Sequence, residues 1–153
     1  MKKILIITGG VLLLIVSIVA GFIGYGAYLE SRLDASSKAY VEANVPAIVS
    51  TWSSTELVKR ASPELRQIID AHPAELAQLF QKLSRLGKLK NLKDVKGKSH
   101  VSYSANHDRI ITATYGATGK FEQGEAKIAL RLVQNSDQWQ FLLLNISSPL
   151  LRQ

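Results

Sequence analysis

The chain has 153 residues, a net charge of +7 and no cysteine. The missing cysteines exclude disulfides, thiolate metal sites and cysteine nucleophiles together. The 123 residues that follow the first thirty carry a net +6 and are enough for one domain with a real core, but not for two.

Lys2 and Lys3 precede Ile4–Leu29, a run of 26 residues without a charged side chain. As a helix this run is about 39 Å long, more than the roughly 30 Å of bilayer hydrocarbon. The pattern predicts a short tail and transmembrane anchor over 1–30, in contact with membrane lipid through 4–29, and a soluble domain over 31–153. A cleaved signal peptide is the competing reading, with Gly24, Gly26 and Ala27 imitating a cleavage site. Signal h-regions usually span only about 7–15 residues, so an uncleaved anchor is the expectation. Anchoring through an N-terminal lipidated cysteine is excluded.

The two lysines on so short a tail place the N-terminus inside and the domain outside. Arg32 and Lys38 on the far flank dilute that signal, beside Glu30 and Asp34. Within the span, Ser17 with Gly21 and Ala20 with Gly24 form two small-xxx-small pairs, a candidate contact face between membrane helices. The plainer account is that glycine is common in such helices.

Beyond the anchor, Leu33, Val41, Val45, Ile48 and Trp52 recur at three- and four-residue steps, which predicts helix from Leu29 to about Trp52. Pro46 lies inside this pattern and predicts a kink near Asn44–Val45. Two or three short helices follow. Ser54 with Leu57 and Val58 opens the first, and Ser62-Pro63-Glu64 opens the next with a cap, a proline at the first position and an acid in the first turn. His72-Pro73-Ala74-Glu75 repeats that signal less cleanly. Leu76, Leu79, Phe80, Leu83 and Leu86 then form an amphipathic stripe ended by Gly87.

From Leu89 the period changes. Leu89–Val95 and His100–Ser104 are two short strand candidates, and Ile110–Phe121 is a long one with Ile111, Ala113, Tyr115, Ala117 and Phe121 on one face. Ala126–Val133 and Gln138–Ser147 complete the set, joined by turns at Asn106–Asp108, Glu122–Gly124 and Asn135–Asp137. Helices followed by an antiparallel meander make the fold class α+β: helices packed on a curved sheet of four to five strands.

This order of elements resembles the cystatin-like, NTF2-like superfamily. The likeness is carried by Arg85–Leu89 closing the last helix, the strand Arg109–Phe121, the hairpin Phe121–Ala126 and the final Asp137-Gln138-Trp139-Gln140-Phe141-Leu142. The stretch Trp52–Leu65 is similar to membrane-anchored bacterial members. The resemblance implies a sheet wrapped around a leading helix, and it implies little about function, because this superfamily hosts isomerases, dehydratases, transport factors and secretion scaffolds.

An isomerase- or dehydratase-like site requires a buried carboxylate or a His–Asp pair inside the cup. The acids Asp94, Asp108, Glu122, Glu125 and Asp137 lie in or beside predicted turns instead, so no catalytic residue is assigned and a non-enzymatic role is expected. Trp52, Tyr103, Tyr115, Trp139 and Phe141 are the candidate lining of a cup that takes a small apolar ligand. His72, His100 and His107 lack paired metal-ligand spacing, and there is no glycine-rich phosphate loop, so neither metal nor cofactor is expected.

The most distinctive polar feature is Lys82, Arg85, Lys88, Lys90, Lys93, Lys96 and Lys98, seven cations within 17 residues and Asp94 as their one acid. This is a candidate patch for an anionic partner, with lysine protection of an edge strand as the bland alternative. It holds no aromatic residue to stack bases, so nucleic acid is not the expected partner. The sequence therefore points to a single-pass bacterial inner-membrane protein whose periplasmic domain binds or assembles, with itself or with another envelope protein. The alternative is a cup for a small apolar ligand or an enzyme of the isomerase or dehydratase type.

Overall fold

A computed structural model describes the backbone of residues 2–152 and the side chains of residues 17, 20, 21 and 23–152. Helix α1 spans Lys2–Val49 and is followed by α2 (Ser54–Arg60), α3 (Pro63–Ala71), α4 (Pro73–Leu83) and a single 3₁₀ turn, Ser84–Leu86. Four strands then form one antiparallel meander in the order β1 (Leu89–Tyr103), β2 (Arg109–Phe121), β3 (Glu125–Asn135) and β4 (Gln138–Ser147). A 3₁₀ turn at Pro149–Arg152 ends the described chain. The fold is α+β.

The chain divides into two compact units, Met1–Leu33 and Asp34–Gln153. In the first, Ser17, Ala20, Gly21 and Gly24 are exposed, and a side chain added at Gly21 or Gly24 would meet nothing within 4 Å. Arg32 lies over the ring of Tyr28 at 5.8 Å. No helix among the described residues is long and apolar enough to cross a membrane. Most of the expected span, residues 4–16 with Ile18, Val19 and Phe22, lies outside the described side chains.

In the second unit the end of α1 lies across the inner face of the sheet. Val41, Val45, Ile48 and Val49 are buried completely, spaced as one stripe of a 3.6-residue helix. Facing them are Ile111, Ala113, Tyr115, Ala117 and Phe121 of β2, Ala126, Ile128, Leu130 and Leu132 of β3, and Trp139 and Phe141 of β4. Helix α1 continues through Pro46, where a kink was expected, and the Asn44 amide donates to the Tyr40 carbonyl at 2.8 Å in the turn just before it.

The short helices start where their capping residues predict. Ser62 Oγ accepts from Leu65 N–H at 3.2 Å, and Pro63 occupies the first helical position. Gly87, at φ +79°, closes the turn after Leu86. The hairpin between β3 and β4 has both central residues, Ser136 (φ 50°) and Asp137 (φ 61°), left-handed, the conformation that matches strand twist in a two-residue loop.

The two short strands expected over Leu89–Val95 and His100–Ser104 are one strand of 15 residues. The alternation that would reveal it fails for two reasons. Register shifts fall between Leu89 and Asn91 and between Lys93 and Lys96, with Asp94 at φ 55°, so the inward phase slips. After the second shift, and before Val101 opposite Ile111, the inward positions are Gly97 and Ser99, opposite Tyr115 and Ala113. Neither is apolar: Gly97 lies under the Tyr115 ring, and Ser99 donates its N–H to Asp34 Oδ1 at 2.7 Å.

Candidate functional site

The interior proposed as a cup is filled. Tyr115 is 3% exposed, and its hydroxyl hydrogen-bonds Ser37 Oγ at 2.7 Å and donates to the Asp34 carbonyl at 3.0 Å. Trp139 donates its indole N–H to Ser36 Oγ at 3.0 Å. Phe141 is completely buried against the Tyr40 ring, 5.7 Å between centroids. Trp52 stacks on Phe121 at 5.4 Å and donates to the Gly87 carbonyl at 2.8 Å. Tyr103 is 69% exposed at the far end of β1, away from the other four. The structure thus gathers Trp52, Tyr115, Trp139 and Phe141 as parts of a packed core that α1 closes.

The polar groups on this inner face are all satisfied. Asp34 accepts from both the N–H and the hydroxyl of Ser99, and Ser37 is fully buried between Asp34 and Tyr115. Among the described residues no buried side-chain polar atom lacks a partner. Such a network fixes α1 against β1 and β2.

Burial pushes the Tyr115 hydroxyl above the ordinary tyrosine range, with the Ser37 hydrogen bond opposing it. Burial raises Tyr40 in the same way, opposed by the nearby Arg60 charge. A raised folded-state pKa gives stability that is complete below the unfolded value of about 10 and lost as pH climbs through the folded one. The urea midpoint should therefore fall above about pH 10, and Tyr40→Phe with Tyr115→Phe should flatten that fall. An equally steep fall in the double variant would show that other groups govern it.

The seven-cation segment is divided by the fold. Lys82 and Arg85 sit exposed at the end of α4 and in the 3₁₀ turn, and Lys88 and Lys90 lie at the start of the sheet's free edge. Lys93, Lys96 and Lys98 point from β1 to the outer face, away from α1, because they pair with Thr118, Gly116 and Thr114 on the unburied side of β2. Strand β3 brings two further cations to that face. Lys127 pairs with Thr118, and Arg131 with Thr114.

The outer face therefore reads across the strands in rows: Lys98, Thr114, Arg131, then Lys96, Gly116, Ala129, then Lys93, Thr118, Lys127. Cations flank a floor of threonine, glycine and alanine. Over the middle rows this makes a shallow trough of about 380 Å³, reached also by Asp94 and Asn145. Lys93 is committed to Glu125 at 2.8 Å; that bond holds Glu125 below the usual carboxylate range and raises Lys93. Lys96, Lys98, Lys127 and Arg131 make no ion pair among the described residues.

Comparison with family models, curated proteins and solved structures gives no match. The site must be read from its own geometry.

Sequence reasoning missed Lys127 and Arg131 because they lie some thirty residues from the lysine run. The alternation of β3, with Lys127, Ala129 and Arg131 opposite Ile128, Leu130 and Leu132, already put them outward. What it lacked was the register of β1 on β2. Among the described residues no group of three His, Asp or Glu side chains is placed to hold a metal ion. His72 bonds Glu75 at 3.2 Å, His100 is exposed on the outer face, and His107 is in a turn at φ 65°.

Proposed function

We propose that this chain is a single-pass, membrane-anchored binding and assembly domain of the bacterial envelope, without catalytic activity of its own, facing the periplasm. Its interior is closed, so it binds by its surfaces, and the outer face of the sheet is the surface for an anionic partner. The observation that carries this reading is the filled cup: Ser36, Ser37 and Tyr40 of α1 sit directly on Trp139, Tyr115 and Phe141. A small ligand would need that helix displaced.

The anchor rests on the uncharged run Ile4–Leu29 behind Lys2 and Lys3. Ile23, Tyr25 and Tyr28, 68%, 63% and 57% exposed, fit a helix end at the level where aromatic side chains meet lipid headgroups. The domain's cruder likeness to the cystatin-like, NTF2-like superfamily, with a short inside tail and an outer domain, suits a scaffold subunit of a secretion-type assembly.

Crosslinking in isolated membranes, followed by detergent extraction and identification of what is joined, tests the proposal. We expect a crosslinked partner that fades as salt rises, since exposed cations act within a Debye length of about 8 Å at physiological salt. The triple variant Lys96→Glu, Lys127→Glu, Arg131→Glu should fold normally, all three side chains being exposed, and lose most of that product. Recovery of uncrosslinked monomer alone, or release of the chain from membranes by a salt wash, would sink it.

A further inference from the structure

The sheet has two edges, and they are built differently. Strand β1 carries Lys90, Lys93, Lys96 and Lys98 along its length and two register shifts, the devices that keep an edge from pairing with another chain. Strand β4, Gln138–Ser147, has no charged residue and no proline, and its one register shift against β3, at Leu142, falls before Leu143. Its first half is covered: Ala61 bridges Phe141, and Ser62 N–H donates to the Phe141 carbonyl at 2.8 Å. From Leu143 to Ser147 no backbone hydrogen bond from any other described segment reaches the outer edge.

Beside this open half runs an apolar groove of about 270 Å³ between the α3–α4 hairpin and the strand. Leu65, Ile68, Leu76 and Leu79 form one wall, and Leu144 and Ile146 the other. Ile68 and Leu79 are 61% and 47% exposed, and Leu143, on the opposite face of the strand, is 53% exposed. Of its polar members, His72, Glu75 and Asn145, the first two are bonded to each other.

We propose that the occupant is a second copy of this chain, its β4 lying antiparallel to β4 about a two-fold axis, so that two sheets become one of eight strands. Charge selects this partner. On a chain of net +7, most surfaces would bring cations against cations, whereas β4 meets itself without a charge on either strand. Lys59 and Arg60 lie beside the covered half, and Arg152 lies just beyond Ser147; the cations of the adjacent strand, Lys127 and Arg131, sit one strand further in. Across the pair they would be three strand spacings apart, about 14 Å, beyond the Debye length of about 8 Å.

Shape agrees with charge. The two-fold arrangement is self-complementary: each copy sets its own Leu144 and Ile146 beside the groove of the other, on the face where Ile68 and Leu79 are uncovered. A strand entering that edge must offer apolar side chains at alternate positions, and β4 itself has that spacing.

This inference gives the assembly part of the proposed function its surface, and it does not depend on the basic face. The chain has no cysteine, so single cysteines report contacts cleanly. Leu143→Cys, Asn145→Cys and Ser147→Cys on the outer side of β4 should be compared, in the full chain in detergent under mild oxidation, with Thr114→Cys in the middle of the same face. One of the three should form a disulfide dimer at least about tenfold more than Thr114→Cys. Leu143→Lys with Asn145→Lys should convert a sedimenting dimer to monomer with an unchanged circular dichroism spectrum.

A native chain that sediments as monomer overturns the proposal. So does a dimer that persists in the double lysine variant, which would place the contact elsewhere, for instance on Ser17, Ala20, Gly21 and Gly24. Capture of a different protein by these cysteines, with no self-crosslink, overturns it too. Loss of the salt-sensitive partner in the charge-reversal variant, with β4 crosslinking intact, would separate the two readings.

Discussion

Gly97→Ala should destabilise the domain by roughly 3 kcal/mol, a large share of the about 5–15 kcal/mol by which native domains are stable. A Cβ at this position would lie 2.0 Å from the Thr114 carbonyl oxygen and 2.6 Å from the Tyr115 ring. The first is backbone of the paired strand, and the second is a ring fixed by Ser37 and Asp34. Neither can yield without pulling β1 from β2 or Tyr115 from α1. The control is Gly116→Ala, one residue along β2 from Tyr115, where an added Cβ meets nothing within 4 Å. That variant should change stability by less than about 0.5 kcal/mol. Urea unfolding of both variants decides the matter, and equal midpoints would show that the Tyr115–Gly97 contact has no special tightness.

Phe141→Ala should cost about 3–5 kcal/mol. The ring is completely buried, touches Tyr40 of α1, and sits on the residue whose carbonyl holds Ser62 at the start of α3. Its removal opens a cavity where α1, the α2–α3 connection and β4 meet, and fixed backbone on three sides limits collapse. Leu143→Ala, on the outer face of the same strand, serves as the comparison and should cost well under half as much. A loss below about 1 kcal/mol for Phe141→Ala would mean that this junction is loosely packed.

Much of the architecture was legible in the residues. The stripe Val41, Val45, Ile48 marked the buried face of α1, Ser62-Pro63-Glu64 marked the start of α3, and the alternation of Ile111 through Phe121 marked β2. Those signals are local, so a single sequence carries them. Strand β1 was read as two pieces because its inward positions are chosen by partners distant in sequence. Gly97 answers to Tyr115, and Ser99 answers to Asp34, 65 positions away.

The candidate site followed the same division. The lysine run was visible, but its orientation depended on the shifts at Lys93–Lys96, and its completion by Lys127 and Arg131 depended on strand order. Of the five aromatic side chains grouped as a cup lining, Trp52, Tyr115, Trp139 and Phe141 pack into the interior and Tyr103 stands exposed at the end of β1. Whether they faced empty space turned on serines at 36 and 37, which carry no pattern in a helix.

The stripe on α1 also has a consequence in time. Ribosomes deliver Val41–Val49 first, whereas the surfaces that cover it come from β2 to β4, ending at Ser147. At about 5–20 residues per second, the nascent segment stays wet and sticky for roughly 5–20 s before its lid is even synthesised. Maturation of this protein is thus a race between late closure and early clumping.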